Sequence, residues 1–264
     1  GSLARLPNLQ AIFSAGAGVD HILTDDRLPE VPIVRVVADD LTMRMSEYVV
    51  WQVLDHHRMG ALYRRQQARH LWREELRQPA ASQVTVGIMG LGALGGDAAR
   101  KLSVMGFNVT GWSRRPKQVE GVTCHHGEAG LDPFLASADI VVVLLPLTRD
   151  THGILDLDLF RRMKKEGPLG LPILINAGRG GLQNEADILQ ALDTQILGAA
   201  ALDVFNEEPL PAGHPLWDHP RVTITPHAAA SSDPAAIIPE IVRQMAAHEA
   251  GRPFENVVDR QAQY

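Results

Sequence analysis

The chain has 264 residues, of which 45% are hydrophobic and 21% charged, and its formal net charge at pH 7 is −6. This composition is typical of a globular protein with one large domain or two ordinary ones. The acidic balance argues against a nucleic-acid or anionic-membrane partner, because both favour a basic surface. The single cysteine, Cys124, allows no intrachain disulfide, and the longest apolar run, 140–146, is too short to span a membrane. We therefore expect a cytoplasmic protein.

Short β-rich runs, most of them continuously apolar, follow one another along the chain, as in parallel strands buried on both faces. Strands are predicted at 9–14, 33–37, 83–89, 108–112, 139–145, 172–176, 198–202 and 222–225. Helices are predicted at 46–72, 93–105, 185–192 and 235–250. The alternation predicts an α/β fold with a Rossmann-type, doubly wound parallel sheet. We place this domain at 44–228 and a smaller second domain at 1–43 with 229–264.

The predicted strand at 83–89 runs directly into a glycine-rich loop, Gly90-Leu91-Gly92-Ala93-Leu94-Gly95. The GxGxxG pattern alone is weak and also fits an ordinary glycine turn, but here a strand precedes it and a helix follows. In such a unit the first glycine permits the tight turn, the second admits a pyrophosphate, and the third allows close helix packing. The helix N-terminus supplies amide donors to the phosphates. The loop therefore predicts a dinucleotide-binding site.

The end of the next predicted strand indicates which dinucleotide is bound. An NAD site places an acidic residue about 20 residues past the loop, where it binds the ribose 2′-hydroxyl. Here the strand ends in Ser113, Arg114 and Arg115. Two guanidiniums and a hydroxyl suit a 2′-phosphate, although an arginine pair in a surface turn is the simpler alternative. We predict a preference for NADP(H), with NAD(H) still possible.

Three further motifs follow predicted strands, at the sheet edge where open α/β sheets bind ligands. They are Asn176-Ala177-Gly178-Arg179, the segment from Asp203 to Glu208-Pro209, and Thr225-Pro226-His227. Together with the glycine loop they resemble the D-isomer-specific 2-hydroxyacid dehydrogenase family, most closely its glyoxylate/hydroxypyruvate reductase branch. The resemblance runs from the segment Ser14-Ala15-Gly16-Ala17-Gly18-Val19-Asp20 to Asn256-Val257-Val258-Asp259.

This resemblance implies functional roles for matching residues. Arg179, Glu208 and His227 would be catalytic, and the backbone amides of Ala17 and Gly18 would hold the substrate carboxylate. It implies further cofactor contacts at Leu145, Pro146, Thr151, Ala177, Arg179, Asp203, His227 and Ala229. A smaller flavodoxin-like substrate domain is also implied.

The implied roles are chemically consistent. Arg179 can hold a 2-oxo carboxylate through paired N–H donors and polarise the neighbouring carbonyl. His227 can exchange a proton near neutral pH, and Glu208 can orient the imidazole. We predict NADPH-dependent reduction of a small 2-oxo acid, with glyoxylate or hydroxypyruvate as the expected substrate. The alternatives are a relative acting on formate, phosphite or another 2-hydroxy acid, and a nicotinamide-sensing, corepressor-like binding protein.

The remaining expectations concern the chain ends, metals and assembly. Gly1-Ser2 is typical of a cleaved tag, and family members start some fifty residues earlier, so we expect a substrate domain truncated at its N-terminus. Adjacent ligands such as Cys124-His125-His126 are not a zinc spacing, and no metal site is predicted. The resemblance implies a homodimer, with the segment around Trp72 at the dimer contact or, equally, packed between domains.

Overall fold

The computed structural model describes residues 6–16 and 18–264. A small unit comes first, in which β1 (Ile12–Ser14) and β2 (Ile33–Arg35) pair in parallel, with the short helix α1 (Asp20–Leu23) between them. Val34 also forms an antiparallel bridge with Val257. Val19, Ile33 and Val258 share one small apolar core. Segments from both ends of the chain therefore pack together.

Two helices follow, α2 (Asp39–His57) and α3 (Gly60–Ala68), so the prediction of one helix over 46–72 was wrong. The break lies at Met59, whose φ of 58° is left-handed. A Cβ on Gly60 would lie 2.0 Å from Asp55 Oδ1, so a larger residue here would displace the Asp55 side chain. Arg64 then donates two hydrogen bonds of 2.7 Å to the Asp55 carboxylate and closes the corner. The chain is not helical from 69 to 80.

The larger unit is built on a seven-stranded parallel sheet, which confirms the predicted Rossmann-type fold. Its elements in chain order are β3 (Thr85–Met89), α4 (Ala93–Val104), β4 (Asn108–Ser113), β5 (Thr123–His126), α5 (Leu131–Ser137), β6 (Ile140–Val143), α6 (Leu157–Arg162), β7 (Ile173–Asn176), α7 (Glu185–Asp193), β8 (Ala199–Leu202) and β9 (Val222–Ile224). The order across the sheet is β5-β4-β3-β6-β7-β8-β9. Helix α8 (Pro234–Glu249) then leads to the C-terminal segment.

Apolar side chains cover both faces of this sheet, as its continuously hydrophobic strands predict. Helices α2 and α4 pack on one face, and α5, α6 and α7 pack on the other. The order of strands reverses between β3 and β6, and a crevice forms at such a reversal outside the carboxyl ends of the strands. None of the helices in the described part of the chain combines the length and apolar character needed to cross a membrane.

Candidate active site

The glycine loop forms an open backbone cradle at the end of β3. Gly90 adopts φ 115°, and a Cβ there would lie 2.8 Å from the carbonyl oxygen of Leu144. A Cβ on Gly95 would lie 1.9 Å from the carbonyl oxygen of Gly90, so α4 packs against the loop only because this residue is glycine. A Cβ on Gly92 would meet nothing within 4 Å. The loop and the α4 N-terminus thus leave room for a pyrophosphate beside backbone amides.

The cradle opens into a cleft of about 560 Å³ that runs between the two units. This cleft brings together most of the residues predicted to bind cofactor or substrate: Gly18, Gly90, Leu91, Gly92, Ala93, Leu94, Gly95, Ser113, Arg114, Arg115, Leu145, Pro146, Thr151, Ala177 and Arg179. Ala17, the other predicted carboxylate-binding residue, lies outside the described residues.

Basic side chains occupy the end of the cleft next to β4. Ser113 Oγ donates a 2.7 Å hydrogen bond to the carbonyl of Arg115 and so fixes this turn. Arg114 and Arg115 are exposed at the cleft mouth. Lys117, which was missed in the sequence, lines the same wall. Three cations at the position where an NAD site carries a carboxylate suit a phosphate group.

The loop after β6 forms the facing wall of the cleft. Thr151 Oγ1 donates to the carbonyl of Pro146 at 2.7 Å and accepts a hydrogen bond from the Thr148 backbone amide at 2.8 Å. Leu145 is buried at the start of the loop. The Thr151 hydroxyl therefore fixes the shape of the wall on which a dinucleotide would lie.

Arg179 lies where the cleft meets the small unit. Its Nε donates to Asp20 Oδ1 at 3.0 Å, and its Nη1 donates to the carbonyl of Gly178 at 2.8 Å. A Cβ on Gly18 would lie 1.7 Å from Arg179 Nη2, so the guanidinium rests directly against the Gly18 backbone. The structure thus brings together the predicted carboxylate-binding arginine and the predicted carboxylate-binding loop. Asp20, which orients the guanidinium, was not predicted.

His227 and Glu208 form a hydrogen-bonded pair. His227 Nδ1 lies 2.7 Å from Glu208 Oε2, and Glu208 Oε1 accepts a 2.9 Å hydrogen bond from the Phe205 amide. The His227 side chain is 47% exposed. Because Nδ1 faces the carboxylate, Nε2 is the ring nitrogen left to exchange a proton with a ligand.

Asp203 fixes the loop that carries His227. This carboxylate is 1% exposed and accepts hydrogen bonds from Thr225 Oγ1 at 2.6 Å, from the Ala228 amide at 2.9 Å and from the Ala229 amide at 3.0 Å. The Asp203 carbonyl accepts from the His227 amide at 2.8 Å. These bonds hold His227 at φ 51°, a strained value for a residue with a Cβ.

A second layer supports this loop. Tyr48 Oη lies 2.9 Å from Thr225 Oγ1. Since the threonine hydroxyl already donates to Asp203, the tyrosine is the donor. Burial raises the pKa of the Tyr48 phenol well above its usual range, which keeps this donor protonated. Tyr48 was not predicted as part of the site, because 177 residues separate it from Thr225.

Three predicted cofactor-binding residues, Asp203, His227 and Ala229, do not line the cleft described above. Ala229 instead faces a smaller pocket with Tyr48 and Trp51. Their contacts with a nicotinamide stay predictions. Within the described residues, no group of three His, Cys, Asp or Glu side chains is arranged to hold a metal ion.

A phosphate cradle at the switch point of a parallel sheet, in one cleft with an arginine, is typical of a dinucleotide-dependent oxidoreductase, and the same chain holds a histidine–carboxylate pair. Residues 50–229 match the NAD binding domain of the D-isomer specific 2-hydroxyacid dehydrogenases. The chain belongs to this family, as the sequence predicted.

The chain is also similar to individual members of this family. The chain is 41% identical to glyoxylate/hydroxypyruvate reductase A of Yersinia enterocolitica, in an alignment covering 97% of this chain and 82% of the relative. It superposes with a TM-score of 0.97 and 52% identity on the NADPH-dependent glyoxylate/hydroxypyruvate reductase of Sinorhizobium meliloti in complex with NADP and sulfate, covering 100% of this chain and 83% of that one. A D-isomer specific 2-hydroxyacid dehydrogenase of Xanthobacter autotrophicus in complex with NADPH gives a TM-score of 0.95 and 39% identity, covering 99% of this chain and 81% of that one.

Proposed function

We propose that this protein reduces a small 2-oxo acid, glyoxylate or hydroxypyruvate, to the 2-hydroxy acid with NADPH. The contact of Arg179 with the Gly18 backbone carries this proposal, because it places a carboxylate-binding group in the same cleft as the phosphate cradle. The relatives named as glyoxylate/hydroxypyruvate reductases support the substrate class.

The residues of the cleft fit a phosphorylated dinucleotide. The backbone at Gly92 and the start of α4 would hold the pyrophosphate, and Arg114, Arg115 and Lys117 would hold the 2′-phosphate. When bound, the cofactor supplies a hydride for the carbonyl carbon. The solved relatives that contain NADP or NADPH support this choice of dinucleotide.

Arg179 has one role before the reaction and another during it. With Nε bound to Asp20 and Nη1 bound to Gly178, the guanidinium is fixed and Nη2 remains next to Gly18 to receive a carboxylate oxygen. A fixed cation beside the carboxylate and the carbonyl stabilises the negative charge that develops on the carbonyl oxygen. Preorganisation by Asp20 avoids reorienting the side chain during turnover.

His227 supplies the proton that completes the reduction. The proton passes from Nε2 to the carbonyl oxygen as the carbonyl carbon is reduced, and Glu208 stabilises the imidazolium before transfer. In the oxidative direction the neutral ring takes the proton back from the hydroxyl. The Asp203 hydrogen bonds keep this ring in place at its strained backbone position.

We also propose that residues 44–228 form the cofactor domain and that 1–43 with 229–264 form the substrate domain.

We further propose that the protein works as a cytoplasmic homodimer. The nonhelical segment at 69–80 supports the dimer, because Leu71, Trp72 and Leu76 are exposed there and apolar surface of this kind favours association. Light scattering should give twice the monomer mass. The double variant Trp72→Ser, Leu76→Ser should shift the mass toward the monomer, and a monomeric wild type would contradict the dimer.

The substrate assignment is tested by steady-state turnover of the protein. Glyoxylate, hydroxypyruvate and pyruvate are offered with NADPH and with NADH, and formate and phosphite are offered with the oxidised cofactors. We expect the highest kcat/KM for glyoxylate or hydroxypyruvate with NADPH. Oxidation of formate or phosphite without reduction of any 2-oxo acid would reassign the enzyme, and binding of NADP(H) without any turnover would favour a sensor.

A further inference from the structure

Residues 259–264, which we name the C-terminal strap, form a compact turn at the mouth of the cleft. The Asp259 amide donates to the Tyr264 carbonyl at 3.1 Å. Asp259 Oδ1 accepts hydrogen bonds from the amides of Gln261 at 2.9 Å and Ala262 at 3.0 Å. The strap therefore has a defined shape of its own.

The strap is attached to both walls of the cleft. On the side of the small unit, Arg260 Nη2 donates to the carbonyls of Pro29 at 2.6 Å and Val31 at 2.8 Å. On the side of the parallel sheet, Gln263 Oε1 accepts a 2.8 Å hydrogen bond from the Arg149 amide. Both Gln263 and Tyr264 line the cleft itself. The strap thus bridges the two units at the end of the cleft that holds the basic cluster of Arg114, Arg115 and Lys117.

Tyr264 binds one of the three cations of that cluster directly. Arg114 Nη2 donates a 2.6 Å hydrogen bond to Tyr264 Oη, and the guanidinium carbon lies 4.8 Å from the centroid of the tyrosine ring. On its other side Arg114 meets Asp150 at 3.4 Å in an exposed ion pair. An exposed arginine has many rotamers, and a ring contact together with a hydrogen bond restricts them.

We propose that the C-terminal strap is part of the cofactor site and determines the preference for the phosphorylated dinucleotide, with Tyr264 holding Arg114 in place to receive the 2′-phosphate. This inference rests on the proposed use of NADPH. A dinucleotide without the 2′-phosphate makes no demand on Arg114, so the strap contributes nothing to its binding. Tyr264 is accordingly a positioning residue, and its effect is confined to ligands that carry the 2′-phosphate.

The test compares Tyr264→Ala, Tyr264→Phe and Gln263→Ala with the wild type and with Gln261→Ala, a strap variant whose exposed side chain lies outside the cleft. Dissociation constants of NADP⁺, NAD⁺, adenosine 2′,5′-bisphosphate and adenosine 5′-monophosphate are measured by calorimetry. Turnover with NADPH and NADH is measured in parallel, and thermal melts check folding. Arg114→Ala is measured in the same way as a reference for loss of the phosphate contact.

We expect Tyr264→Ala to weaken binding of NADP⁺ and of the 2′,5′-bisphosphate by about 3- to 10-fold, the size of a lost contact to an exposed cation. NAD⁺ and the monophosphate should change less than about 2-fold. The affinity of Tyr264→Phe for these two ligands should lie between those of the wild type and Tyr264→Ala, because the ring remains. The affinity of Gln261→Ala should match that of the wild type.

The outcomes separate this inference from the proposed function. If Arg114→Ala lowers the preference for NADP⁺ and Tyr264→Ala does not, the role of the strap is rejected and the cofactor assignment stands. If Tyr264→Ala weakens NAD⁺ and NADP⁺ equally, the strap is structural only, and the inference again fails. If Arg114→Ala leaves the preference unchanged, the proposed phosphate site is itself wrong.

Discussion

Gly18 lies directly against the Arg179 guanidinium, where we propose that the substrate carboxylate binds. Because a side chain there would lie 1.7 Å from Arg179 Nη2, Gly18→Ala must displace the guanidinium. We expect KM for the 2-oxo acid to rise more than about 10-fold, the equivalent of losing a charged hydrogen bond, while affinity for NADP⁺ changes little.

The matched control is Gly16→Ala, since a Cβ at Gly16 meets nothing within 4 Å. Steady-state kinetics with varied 2-oxo acid, together with calorimetry for NADP⁺, distinguish the two variants. Equal KM values for Gly18→Ala and the wild type would show that Arg179 does not bind the substrate in this position.

His227 is the residue to which we assign the proton transfer. We expect His227→Ala to lower kcat by about 10² or more, the usual contribution of a general acid. Glu208→Gln should lower kcat by a smaller factor, because the amide can still hold the ring but does not stabilise the imidazolium. Single-turnover reduction followed at the cofactor absorbance measures both variants. A His227→Ala enzyme with wild-type turnover would exclude the proton transfer assigned to this residue.

The residues found from the sequence and those that were missed differ in how their contacts form. Arg179 and His227 follow strand ends in recognisable motifs, so local sequence locates them. Asp20 and Tyr264 act through partners 159 and 150 residues away, and no local pattern records such pairings. Lys117 could have been found, because it lies two residues past Arg115 in the same basic turn.

At the scale of elements, the end of α2 was the main error. The apolar stretch around Val49 and the polar stretch around Arg65 read as one helix, because no proline interrupts them. Gly60 was the available signal, and the Asp55–Arg64 ion pair that closes the corner depends on the turn itself. Strand β5 was missed for a different reason. It is a sheet edge with polar residues and little burial, so it lacks the apolar run that marked the other strands.

The same end of α2 predicts how stability depends on pH. Burial lowers the pKa of His56 to about 4, from 6.5, and its Nε2 is buried without a partner. As pH falls below 6.5 the unfolded chain takes up a proton that the folded chain does not bind until about pH 4. The free energy of unfolding should therefore fall between pH 7 and pH 5, by on the order of 1–2 kcal/mol.

Urea unfolding of the wild type and of His56→Leu at both pH values measures this effect. The variant should lose part of the pH dependence, and the remainder is assigned to His57, whose pKa burial also lowers. Arg64 lowers the pKa of Asp55 from 3.8, so this carboxylate stays ionised between pH 7 and pH 5. Asp55 therefore does not change the pH dependence of the free energy of unfolding in this range. An identical pH dependence in both proteins would contradict the assignment to His56.

At the scale of the whole molecule, the parallel sheet was predictable because each buried strand carries its own apolar signal. Its strand order places the loop after β3 and the motifs after β7, β8 and β9 along one edge. How the two units meet was not predictable, since it depends on single contacts such as Arg179 with Asp20 and the Arg149 amide with Gln263. These contacts shape the cleft in which the proposed reaction takes place.

In the proposed reaction, hydride passes from NADPH to the carbonyl carbon of a small 2-oxo acid. NADPH carrying two deuterons at C4 of the nicotinamide is incubated with the enzyme and glyoxylate or hydroxypyruvate, and the product is analysed by mass spectrometry. We expect a 2-hydroxy acid that carries one deuterium at C2. Formation of unlabelled product, or oxidation of the cofactor without any 2-hydroxy acid, would contradict it.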